Sequence, residues 1–177
     1  MRWGCRAIVA LVVFAPAVAR ADDPRFGPYD VRSTFVIAKN IDRDVVEYGI
    51  HLDKDCLPIG DEPMYAYWRQ YEQGPNVTED LNLLDRTVYG IGKQSVLRRG
   101  SDDSRISLTV KAAPDRPVTI IVKKVEGKCT AEPIGKIAGQ FARLTTVFVH
   151  VAGWMSVDWV EIRGVLNGQP IVERVKH

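Results

Sequence analysis

The sequence predicts a mainly β protein: a single antiparallel barrel or sandwich of about eight strands, with one short helix packed across an end. Three observations carry this. Apolar and polar residues alternate in most runs after Thr34, the period of half-buried strands, while a helical period appears in one stretch only. Tight turn signals separate the runs, and Asn167-Gly168 is the strongest of them. The chain has 177 residues, enough for one core and too few for two comfortable ones.

The opening residues stand apart. Arg2 and Arg6 precede the apolar run Ala7 to Ala19, and Ala19 and Ala21 fit a cleavage site before Asp22. Residues 1–21 therefore read as a secretory leader, too short in its apolar part to span a bilayer. Cleavage takes Lys+Arg from 24 to 21 against 22 acids, so the mature charge is −1. That balance argues against a nucleic-acid partner. Cys5 leaves with the leader. Cys56 and Cys129 remain as an even pair in an oxidising compartment, where a bridge is expected; two buried thiols are the simpler alternative. The expected location is periplasmic or secreted, with no transmembrane segment in the mature chain.

Residues 22–33 lack periodicity and read as a flexible N-terminal arm; 34–177 read as one β-rich domain. Thr34 to Ala38 and Val46 to Leu52 suggest an antiparallel hairpin. Asp53 to Glu62 is a polar loop containing Cys56. Met64 to Glu72 is a strand dense in aromatics, rich on both faces and so expected to be covered on both. Gly74-Pro75 ends it. Thr78 is a candidate N-cap, with Leu81, Leu84 and Val88 as the apolar stripe of a helix of about ten residues that stops at Gly90. Gln94 to Ser104 reads as irregular, and Ala113 to Arg116 as a turn. Further strands are expected at Ile106 to Ala112, Val118 to Val125, Cys129 to Ala138, Leu144 to Val151, Val157 to Leu166 and Ile171 to Val175.

The order of motifs resembles a bacterial family, domain of unknown function 4833. The matching stretches are F-V-I-A-K-N-I-D-R-D-V-V-E-Y (Phe35 to Tyr48), P-M-Y-A-Y-W (Pro63 to Trp68) and L-N-L-L-D-R-T-V-Y-G-I (Leu81 to Ile91). Three more follow: T-V-F-V-H-V-A-G (Thr146 to Gly153), V-D-W-V-E-I-R-G (Val157 to Gly164) and N-G-Q-P-I-V-E-R-V (Asn167 to Val175). The chain departs from the family pattern at Asp85, where glutamate is usual, and at Thr146-Val147, where a more basic-aliphatic pair is usual. The resemblance implies an exported bacterial protein and carries no catalytic role to transfer.

Motifs for chemistry are sparse. His51, His150 and His177 have no second histidine at ligand spacing, so neither a metal site nor a cofactor is expected. There is no nucleophile elbow; Ser156 lacks its spacing. Gly90 and Gly92 do not make a phosphate loop. Glu47 and Glu161 lie on separate strands and define no acid pair. Asn76-Val77-Thr78 fits a glycosylation pattern, but Thr78 reads more simply as a cap. Asp85 and Arg86 are the candidate polar contacts, with Asp85 expected to pair with Lys39 or Arg69. Tyr65, Tyr67, Trp68, Tyr89 and Trp159 could line a cavity for an apolar or sugar-like ligand; ordinary core packing is the plainer role. Ligand contact is thus assigned to Tyr65, Tyr67, Trp68, Asp85, Arg86 and Tyr89. The leading reading is a non-enzymatic exported domain that binds a protein or small molecule or serves the envelope structurally. A small-ligand carrier with an aromatic-lined cavity comes next, then an unrecognised hydrolase using Asp85.

Overall fold

A computed structural model describes residues 23–74, 77–100, 103–152 and 156–176. The expected leader, Pro75, Asn76, Gly153 and His177 lie outside them. Among the described residues there are eleven strands and one helix. One leaf runs β4 (Thr78–Asp80), β3 (Met64–Arg69), β2 (Val45–Ile50), β1 (Val31–Lys39); the other runs β5 (Ile91–Arg98), β6 (Ser104–Val110), β7 (Ala113–Val125), β8 (Lys128–Ile137). Both leaves join β9 (Gln140–Ala152), β8 at residues 140–143 and β1 at 146–149. β10 (Ser156–Leu166) pairs with β9, and β11 (Gln169–Lys176) with β10.

The mainly β class stands, but this is one large sheet of eleven strands, not a closed barrel of eight. β3 and β5 approach each other without a backbone ladder. The Gln94 side-chain amide bridges them instead: its Oε1 accepts from the Met64 N–H at 2.9 Å and its Nε2 donates to the Met64 carbonyl at 3.3 Å. The sheet is also not wholly antiparallel, because β1 and β9 run parallel.

Alternation places one core between the leaves. Val46, Tyr48 and Ile50 from β2 face it, as do Ile106 and Leu108 from β6 and Ile120 and Val122 from β7. Each such aliphatic side chain contributes about 1.5–3 kcal/mol by leaving water. Phe35 stacks on Tyr48 with ring centroids 4.4 Å apart. The Asn167-Gly168 turn is as expected, with φ of 50° and 79°, the two left-handed residues of a tight hairpin. Cys56 and Cys129 are joined, their Cα atoms 5.3 Å apart, tying the loop after β2 to β8.

Four expectations change. The helix, α1, spans only Leu83–Val88, because Thr78–Asp80 pair with β3 and Asn82 takes over the cap, its side chain accepting from the Asp85 N–H. Leu81 is buried ahead of the helix, but Leu84 and Val88 face solvent, and α1 buries no residue, so no apolar stripe packs across an end. Residues 91–98 form β5 rather than irregular chain; Gln94 and Val96 turn inward and Ser95 between them faces out. Ala113 to Arg116 belong to β7. Before the sheet, Phe26 is buried, β1 already begins at Val31, and Asp30 accepts from the Gly27 and Leu52 N–H groups.

Gly164 on β10 sits at a register shift. A Cβ there would lie 2.4 Å from the Arg143 carbonyl oxygen and 2.5 Å from Ile137 Cδ1. The carbonyl is held in the ladder and cannot step aside. Gly164→Ala is expected to lower stability by about 2–3 kcal/mol. The readout is a fall in the urea midpoint at constant slope; an unmoved midpoint contradicts the packing described.

Candidate functional site

β3 divides the six candidate residues between two faces of the sheet. Met64, Ala66 and Trp68 lie opposite Ile50, Tyr48 and Val46 on the core face. Tyr65 and Tyr67 lie opposite Gly49 and Glu47 on the other face. Both faces of β3 are covered, as its composition suggests, so the six residues do not line one cavity.

The outer cluster is a packed structural unit. Phe26 from the N-terminal segment sits 5.7 Å from Tyr65 and 5.0 Å from Tyr67, ring to ring. Tyr65 lies flat over Gly49, where a Cβ would meet its ring at 2.4 Å. The Tyr67 hydroxyl donates to Glu47, and Arg69 donates to the same carboxylate at 3.0 Å. Burial, and then the Glu47 hydrogen bond, push the Tyr67 phenol well above its ordinary value. His51 lies 2.8 Å from the buried Asp30 carboxylate, not free in solvent.

The inner cluster opens to the surface. Trp68 Nε1 donates to Asp85 Oδ2 at 2.9 Å. Tyr89 meets the indole edge-on at 5.6 Å. Lys39 Nζ lies 4.6 Å from the indole centroid and 3.0 Å from Asp42 Oδ2. Asp85 therefore pairs with neither Lys39 nor Arg69: the indole takes its carboxylate, Asp42 takes Lys39, and Glu47 takes Arg69. Arg86 points away from this group and donates to the Leu81 carbonyl at 2.8 Å. The Tyr48 hydroxyl donates to the Tyr89 carbonyl at 2.5 Å, tying the end of α1 to the core. Burial raises the Tyr89 phenol, against the pull of Lys39.

Above Trp68 is a pocket of about 230 Å³ that Lys39, Asp42, Asp85 and the carboxylates of Asp44, Glu79 and Asp80 also line. A larger hollow of about 590 Å³ lies along β5 beside Gln94 and Thr109. No aromatic ring lines it, and the bridging Gln94 amide already has both its groups engaged there. The pocket over Trp68 is smaller but holds convergent polar groups beside a ring, the usual make-up of a binding site. Among the described residues, no three His, Cys, Asp or Glu side chains converge to hold a metal ion.

A second aromatic group escaped the sequence reading as a group. Trp159 stacks on His150 at 4.7 Å, lies 5.8 Å from Phe148, and carries Arg174 over its ring at 4.0 Å. These residues come from three neighbouring strands, so only the β9–β10–β11 register brings them together. With His150 and Arg174 against it, the indole has little free face, which makes this a surface ladder rather than a platform.

Four carboxylates outside the pocket are held below the ordinary range: Asp23 by Arg25, Asp103 by Arg105, Glu161 by Arg174 and then Arg163, and Glu173 by Arg116 and the Ala138 N–H. Their stabilisation is complete above the unfolded carboxylate range, about pH 4, and is lost as pH falls through the lower folded values. The unfolding midpoint is expected to stay level down to about pH 5 and to fall below about pH 4, with a shallower fall in Glu161→Gln. A midpoint that rises on acidification contradicts these pairings.

The arrangement defines a disulfide-linked, β-rich domain with an acidic surface pocket beside a short helix. A family profile matches residues 35–174, and the chain belongs to that family, described as a domain of unknown function (DUF4833). No curated protein and no solved structure matches it. Among the described residues no helix is long and apolar enough to cross a membrane.

Proposed function

We propose that this is an exported bacterial protein, periplasmic or secreted after cleavage near Ala21, whose domain binds a ligand or partner without catalysis. The leader pattern and the Cys56–Cys129 bridge support export. The observation that carries the binding reading is the pocket over Trp68, where an indole, a lysine and five carboxylates converge at the surface. Asp85, the residue a hydrolase would use, accepts from the Trp68 indole, which orients a ring and activates no nucleophile. A small sugar-like ligand is a second reading, favoured by the amides of Gln70 and Asn82 beside that indole.

A thermal-shift screen of small ligands and peptides on the mature, oxidised protein tests this. Ligands of the pocket raise the midpoint by mass action. Trp68→Ala and Asp85→Asn are each expected to weaken their apparent affinity about tenfold, a loss of about 1.4 kcal/mol. Hits that both variants bind as well as the native protein would place the site elsewhere.

A further inference from the structure

We infer that the pocket over Trp68 and the exposed side of α1 form one docking surface for a polypeptide partner, which presents an arginine or lysine flanked by apolar side chains. The inference rests on reading that pocket as the binding surface, and it names the partner's chemistry. Two independent features meet there. The first is apolar. Leu83 and Leu84 are 81% and 79% exposed, and Val88, one turn beyond Leu84, is 45% exposed. α1 is anchored by Leu81 before it, by Tyr89 after it and by Asp85 within it, and buries no residue of its own, so these leucines do nothing for the core. Ile41, next to Asp42 in the chain, is 60% exposed. Asp42 on one side and Asn82 and Asp85 on the other line the pocket, so this apolar rim flanks it. Clustered exposed apolar residues rimmed by polar ones mark contact surfaces.

The second feature is charge. Five carboxylates face Lys39 alone, a formal excess of four negative charges in the lining. Arg25 reaches one of them, Asp80, from outside. Asp42 Oδ1 is buried with no hydrogen-bond partner. A cationic head complements that field, and a guanidinium would join two carboxylates through paired hydrogen bonds. The indole already accepts a cation against its ring, from Lys39. A small amine would answer the carboxylates and leave the leucines in water. A nucleic acid or an anionic membrane surface would be repelled. A polypeptide segment with a basic residue between apolar ones meets both features.

The test selects random short peptides, displayed on phage, against the oxidised full-length mature protein, and measures the resynthesised winners by fluorescence anisotropy. Winners are expected to be enriched in arginine or lysine beside leucine, isoleucine or phenylalanine, and to bind more weakly as salt rises. Asp42→Asn with Asp85→Asn is expected to weaken them about tenfold, and so is Leu83→Ser with Leu84→Ser, which alters only exposed positions. Unfolding midpoints of both variants verify that they fold. Winners sensitive to the carboxylate pair but not to the leucine pair overturn the polypeptide partner and leave the pocket standing. Winners indifferent to both pairs overturn the partner and the pocket together. A selection that yields no winner, or winners without basic residues, overturns the partner.

Discussion

Replacing Cys56 and Cys129 with serine is expected to cost about 4 kcal/mol, because the bridge closes a loop with a sequence separation of 73 residues. That loop holds β3, β4, α1, β5, β6 and all of β7, so the open chain regains the freedom of nearly half the fold. Cys56 also has a φ of 61°, a left-handed conformation that serine keeps at the same cost. The loss therefore reports the cross-link rather than the turn. For a domain whose whole stability is about 5–15 kcal/mol, such a loss leaves a marginal fold. Urea unfolding of the native protein, with and without reductant, measures it. The reduced protein and the double serine variant should share one lowered midpoint. A reduced protein as stable as the oxidised one would mean that the core alone holds the two leaves together.

Glu47→Ala comes next, at about 3 kcal/mol. Glu47 is 6% exposed and accepts from both Tyr67 and Arg69. Its removal leaves the Arg69 guanidinium, whose side chain is 16% exposed, with no carboxylate, and leaves the Tyr67 hydroxyl only the longer bond to the Arg32 carbonyl at 3.2 Å. The partial exposure of Arg69 places the loss at the lower end of the range for buried pairs. Glu47→Gln should be milder, since an amide oxygen still accepts from Tyr67. Arg69→Met in the Glu47→Ala background should recover part of the loss, because the unpaired charge goes with it. A loss below about 1 kcal/mol in Glu47→Ala would mark the pair as solvated.

These effects trace to features of unequal legibility. The period-2 runs and Asn167-Gly168 are local, and the strands and final hairpin follow from them. The two cysteines required no geometry to be matched, since the expected leader takes Cys5 and leaves only those two. The covering of β3 on both faces was written in its alternating aromatics. Other features depend on contacts distant in sequence. Nothing in Phe35 to Ala38 marks its neighbour as parallel, because β1 reads the same beside either edge. Thr78, Glu79 and Asp80 make a good helix start, yet pairing with Tyr67 to Arg69 satisfies their backbone better than two unsupported turns would. β5 looked irregular because the stretch runs into the charges of Arg98, Arg99, Asp102 and Asp103, and its pairing with β6 is what makes it a strand. The partner of Asp85 was not legible, since the indole that claims it lies across the β3–α1 connection. The acidic pocket was invisible because its carboxylates come from the turn after β1, from β4 and from α1, three segments that only the folded sheet brings together.

The most direct test of the central claim, that this domain binds through the pocket over Trp68, is the response of its indole N–H signals. In a ¹⁵N-labelled, oxidised sample titrated with a ligand from the thermal-shift screen, the Trp68 signal should move first, together with backbone amides of Asn82 to Tyr89. The Trp159 signal, on the opposite side of the sheet and already packed between His150 and Arg174, should stay in place. Movement of Trp159 with Trp68 unchanged would contradict the account and transfer the binding surface to β9–β11.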